Sequence, residues 1–244
     1  MPDLTFFQRH HAKIVVALLL TFASGLVDIV GYIGVYHFFT AHLTGTTVQL
    51  GRSLAQRNFP HLFLALTVVS AFFAGSILGR SLIEIGSRHQ FRRIASVTFA
   101  LEALLLVFPI FTPDKAFLRL ALLAAAMGLQ TATLTGIGPL TVHTTFITGM
   151  INKLAQLVSH IAWSGAVARR SEEIQHKRRQ QSEMAIFLSC VWLCYVGGAI
   201  AGTWSVDAIG IRALLAAVVL LSIGIAIDGV QPLAFEEEQE QSER

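Results

Sequence analysis

An aspartate inside an apolar run is the first residue in this sequence that could do chemistry. Asp28 is flanked by Leu26, Val27, Ile29 and Val30. Ionisable groups in such runs are costly and face an interior partner or an aqueous cavity. Asp28 could carry a proton or a cation, or it could be a structural carboxylate bonded to a neighbouring helix. The second candidate is the polar stretch from Thr40 to Gly51, TAHLTGTTVQLG, which interrupts the apolar sequence and returns as TTFITGMINKL from Thr144 to Leu154. A helix that starts at a Thr-Gly step exposes free backbone N–H groups, and these attract anions or polar groups. An unwound stretch beside it exposes carbonyls that can hold cations.

These features define the candidate substrate-binding set: Asp28, His42, Thr44, Gly45, Thr47, Gln49, Gln130, Thr145, Thr148, Gly149 and Asn152. Kinked helices whose Thr hydroxyls bond internally would account for the same residues. Glu102 is a further carboxyl group within an apolar run, whereas Asp207 and Asp228 sit at run ends and read as interfacial. No nucleophile–base pair, metal signature or catalytic carboxylate pair can be assembled, so an enzyme is not expected, and neither is a cofactor or a metal. Cys190 and Cys194 lie four apart in an apolar run and read as small packing residues.

The elements that must position these residues are membrane spans. The hydrophobic fraction is 54% and the charged fraction 14%, against about 25% charged in soluble domains. Six runs approach the roughly 20 apolar residues that a bilayer core requires: 14–36, 62–83, 94–111, 117–136, 185–206 and 211–228. The expected fold is an all-α polytopic membrane helical bundle of about six transmembrane helices plus two re-entrant or broken Thr-Gly segments. It follows a cytoplasmic N-terminus, 1–13, and fills 14–230. A charged cytoplasmic loop is expected at 169–184 and an acidic cytoplasmic tail at 231–244.

With the N-terminus inside, thirteen of the eighteen Lys and Arg residues fall on the cytoplasmic side. An eight-span model, with the Thr-Gly segments crossing fully, gives nearly the same bias. The polarity of residues 40–57 favours six.

Two halves are visible, 14–113 and 117–230. Gly25-Leu26 recurs as Gly128-Leu129, Thr44-Gly45 as Thr148-Gly149, and Ala74-Gly75-Ser76-Ile77-Leu78-Gly79 as Gly197-Gly198-Ala199-Ile200-Ala201-Gly202. Three spans per half would make an inverted repeat. Gly75, Gly79, Gly198 and Gly202 form GxxxG pairs, read as helix-packing positions within the fold or between subunits.

Gly25-Leu26-Val27-Asp28 followed by Ala41-His42-Leu43-Thr44-Gly45-Thr46-Thr47-Val48 resembles the YoaK family of bacterial inner-membrane proteins, and Gly128-Leu129-Gln130-Thr131-Ala132 with Thr144-Thr145-Phe146-Ile147-Thr148-Gly149 agrees. The resemblance covers residues 14 to 228. It implies about six spans in a bacterial plasma membrane and supplies no substrate or catalytic residue. In the family pattern Asn commonly follows the first Thr-Gly step and the Gln of the second half. Thr46 and Thr131 stand there instead, so no amide ligand role carries over.

The functional expectation is a small-solute or ion transporter with its site between the halves. The alternative is a non-transporting membrane scaffold or partner subunit. The expected partners are the lipid bilayer, a small solute or ion and a second copy of the chain in a homo-oligomer, with no nucleic acid. The expected location is the bacterial inner membrane, multi-pass, with both termini cytoplasmic.

Overall fold

The computed structural model describes residues 6–35, 37–133, 136–137, 140–141, 145–167 and 172–233. A single helical turn, α1 (Phe6–Arg9), leads into α2 (His11–Gly34). The backbone then unwinds until α3 (Leu43–Ala55), and α4 (Phe59–Arg88) follows after a short turn. Asn58 caps α4 by accepting from His61 N at 3.4 Å, and Pro60 occupies the first turn, where its missing N–H costs nothing.

Next come α5 (Ile94–Val107), a 3-10 turn at Phe108–Phe111 around Pro109, and α6 (Ala116–Thr133). The second break holds a two-residue antiparallel ladder, β1 (Gly136–Ile137) with β2 (Leu140–Thr141). The chain ends in α7 (Ile147–Val167), α8 (Glu172–Ile209), a 3-10 turn at Gly210–Ala213 and α9 (Leu214–Val230).

Among the described residues, five helical stretches are long and apolar enough to cross a membrane: His11–Gly34, Phe59–Arg88, Ile94–Phe111, Ala116–Thr133 and Lys177–Val230. The last spans 54 residues and holds α8 from Lys177 onward together with α9, separated at Gly210, whose φ of +61° suits glycine. α3 is about 20 Å long, too short to cross a core of about 30 Å.

One boundary differs from expectation. The charged segment 169–184 is helical from Glu172 onward and extends α8 beyond the apolar run. Its Glu, Gln, Lys and Arg residues are good helix formers, so charge ends the membrane span without ending the helix. The N-terminal segment packs on α8. Phe6 is buried, its ring lies 6.1 Å from that of Phe187, and its N–H donates to Glu183 Oε2 at 2.7 Å. The expected tail 231–244 lies outside the described residues beyond 233.

The helices pair across the two halves. α2 packs along α8, α4 along α6, and α5 along α9. Glycines set the first two contacts. A methyl group at Gly25 would run into the Tyr195 carbonyl, and one at Gly128 into the Phe72 carbonyl. Likewise Gly198 abuts the Phe22 carbonyl and Gly75 that of Ala125. Gly202 lies on Leu26 and Gly79 on Leu129. All four GxxxG glycines therefore serve contacts within the chain. Each contact in one half recurs in the other, with Gly25 answering to Gly128 and Gly75 to Gly198.

The contacts also fix direction. Positions rise together along α2 and α8 (Phe22 with Gly198, Leu26 with Gly202) and along α4 and α6 (Gly75 with Ala125, Gly79 with Leu129), so these pairs are parallel. In α5 and α9 the order reverses. Ser96 meets Asp228 at one end, and the two 3-10 turns meet at the other.

Exposed Phe63, Phe73, Leu104, Trp163 and Trp204 give the outer surface an apolar, lipid-compatible character.

Candidate functional site

Asp28 is 2% exposed, and both of its carboxylate oxygens are occupied. Oδ1 accepts from Thr40 N at 2.8 Å, Thr40 Oγ1 at 2.7 Å and Ala41 N at 2.8 Å. Oδ2 accepts from the Tyr195 hydroxyl at 2.6 Å. One side chain thus joins α2, the unwound stretch before α3, and α8. The backbone freed by the break finds its acceptor in this buried carboxylate, as backbone within a membrane protein must find one internally.

α6 carries Thr131 at the position corresponding to Asp28. Its hydroxyl donates to Met127 O and lies 2.7 Å from Thr145 Oγ1, just before α7. Each break is therefore tethered to the first long helix of its own half, by a carboxylate in one and a hydroxyl in the other.

Between the breaks lies a cavity of about 530 Å3. His42 and Thr44 line it from the start of α3, and Thr145, Phe146 and Thr148 from the start of α7. Thr131, Phe72 and Tyr195 close it from α6, α4 and α8. Lys, Arg, Asp and Glu are absent from its described lining. The polar groups are an imidazole and hydroxyls; those of Thr44 and Thr148 have no hydrogen bond among the described residues. The rings of Phe72, Phe146 and Tyr195, with Ala41, Leu43 and Ile147, supply the apolar walls.

Gly45 and Gly149 do not line this cavity but shape it. A methyl group on Gly45 would come within 2.7 Å of His42 Cδ2, and one on Gly149 would strike the Phe146 ring. In each half a ring three residues before the glycine folds over the first helical turn.

The other expected ligands lie elsewhere. Thr47 is exposed and its hydroxyl donates back to Leu43 O at 2.8 Å. Asn152 is exposed on α7, outside the cavity lining. Gln130 is fully buried, and its Nε2 donates to Leu20 O and Ser24 Oγ, both at 2.8 Å, fastening α6 to α2. Gln49 lines a second cavity. Asp28 stands behind the central cavity, with Tyr195 between.

Asp228, near the end of α9, faces the protein interior. It is fully buried and accepts from Ser96 N at 3.0 Å, from the Ser96 hydroxyl, and from Leu233 N at 2.9 Å, which caps the start of α5. Glu102 is also fully buried, and neither of its oxygens has a hydrogen-bond partner among the described residues.

Ala41, Leu43, Phe72, Thr131, Phe146, Ile147 and Tyr195 also line the cavity and are not among the binding residues expected from the sequence. The repeat carried a signal for two of them. Phe72 precedes Gly75 by three residues, as Tyr195 precedes Gly198.

These features define a polytopic α-helical membrane protein with two broken segments around a central cavity. The chain belongs to the family described as "Protein of unknown function (DUF1275)", whose model matches residues 16–227. It is similar to the UPF0700 transmembrane protein YoaK of Bacillus subtilis (strain 168), at 29% identity over 146 residues. That match covers 58% of this chain and 65% of the relative, just under two thirds of its length. No solved structure matches the chain.

Proposed function

We propose that this protein is a small-solute or ion transporter of the bacterial inner membrane, with its site in the central cavity between two inverted halves. The observation that carries the reading is that the two Thr-Gly breaks, distant in sequence, line one cavity. Broken helices meeting between repeats are how many secondary transporters build a site at depth in the bilayer. A volume of about 530 Å3 suits a small molecule.

The helix directions support a three-plus-three inverted repeat. With six crossings, α2 and α8 run one way, α4 and α6 the other, and α5 opposes α9. With eight crossings, α5 and α9 would run the same way, contrary to the contacts of Ser96 with Asp228. The distribution of Lys and Arg supports both termini inside.

Purified protein in liposomes tests the proposal against a panel of labelled solutes and ions. At least one should show saturable flux, abolished by Thr131→Phe, which fills the cavity. If every solute leaks at the rate of empty liposomes while the protein remains folded, the transport reading fails.

A further inference from the structure

Beyond the central cavity lies a second one of about 380 Å3, built from the end of α2, the second half of α3 and the start of α4. It shares no lining residue with the first and does not depend on the transport reading. We propose that it is an oxyanion site, taking the phosphate group of a lipid headgroup or of a free phosphate compound.

Arg52 lines this cavity, and its side chain makes no ion pair or hydrogen bond among the described residues. Its guanidinium carries five N–H donors in a planar fork that matches phosphate geometry. No Asp or Glu occurs between Asp28 and Glu84 in the sequence, and Asp28 is occupied by its own bonds. The cation therefore has no acidic partner among the residues that line the cavity.

The other polar groups suit the same ligand. His37 and His61 contribute imidazoles, and Gln49, Gln56 and Asn58 contribute amide donors. His37 sits at a φ of +55°, with its ring 5.2 Å from that of Tyr32. A tight turn fixes the floor, with Asn58 N donating to Ser53 O at 2.8 Å. A cation with several neutral donors and no acid recognises an oxyanion rather than a metal ion. The location, where one span ends and the next begins, is at headgroup level, while exposed Arg52 and His61 leave the site open to water as well.

Thermal unfolding in an uncharged detergent provides the test. Wild type is titrated with inorganic phosphate against chloride at matched ionic strength, and separately with phosphatidylglycerol against phosphatidylcholine in mixed micelles. A saturable rise in Tm with phosphate identifies a free oxyanion; a rise confined to phosphatidylglycerol identifies a headgroup. In either case Arg52→Gln should weaken binding about tenfold or more, and Arg57→Gln, outside the cavity lining, should leave it unchanged. If Arg52→Gln aggregates, His61→Gln replaces it, with binding again expected to weaken. No saturable rise with either ligand overturns the proposal, as do equal losses in the Arg52 and Arg57 variants or no loss in the cavity variants.

Discussion

At the scale of single residues, Asp28 and Tyr195 form the contact on which the first break depends. The carboxylate accepts four hydrogen bonds from two separate segments. Removing a buried acceptor leaves its donors unsatisfied, at about 1–3 kcal/mol for each group. Asp28→Ala should therefore destabilise by about 3 kcal/mol or more, and Tyr195→Phe by about 1–2 kcal/mol, with Asp28→Asn between them. Chemical unfolding in detergent would give the order, and an Asp28→Ala protein as stable as wild type would remove the anchoring role. Glu102 should behave oppositely. A buried polar group without a partner costs stability, so Glu102→Met should raise the unfolding temperature; a fall would mean that the carboxyl has a stabilising contact.

At the scale of elements, the glycines decide which helices can touch. Gly25→Ala, Gly75→Ala, Gly128→Ala and Gly198→Ala would each press a methyl group into a backbone carbonyl, which cannot move aside. Each should cost about 1–3 kcal/mol or more and lower the yield of monodisperse protein. Gly51, with nothing within 4 Å of its Cβ direction, is the internal control. Gly51→Ala should be neutral or stabilise by up to about 1 kcal/mol. Equal behaviour of Gly51 and Gly128 variants in size-exclusion and thermal assays would contradict the packing account.

These helices were largely legible in the sequence, because apolar runs of span length and paired small residues are local signals. The matching pairs Gly25 with Gly128 and Thr44 with Thr148 were legible too. The reach of Tyr195 to Asp28 was not, since it joins positions 167 residues apart and depends on which helix faces which. Gln130 was legible as a polar residue on a span but not as a bond between α6 and α2, because sequence does not say whether an amide faces a cavity or a neighbour. The helical start of α8 was missed because charge marks the membrane boundary, while helix propensity marks the secondary structure.

At the scale of the whole molecule, the pairing of α2 with α8 and α4 with α6 interlocks the halves. Neither half buries its long helices alone, so the halves should unfold together. A Gly25→Ala change in the first half should lower protection from hydrogen exchange along α8 in the second, not only along α2. Protection lost in the first half alone would contradict the interlocked arrangement.

The same interlock places the two breaks around one cavity. The most direct test of that arrangement is a single cysteine at Thr44 or at Thr148, in a background with Cys190 and Cys194 replaced by serine, labelled by a membrane-impermeant thiol reagent. On the proposed transport function each position should react from both faces of the membrane, because a shared transport cavity would open alternately. Labelling of Thr44 from one face only and Thr148 from the other only would contradict it, leaving two separate breaks with no common site.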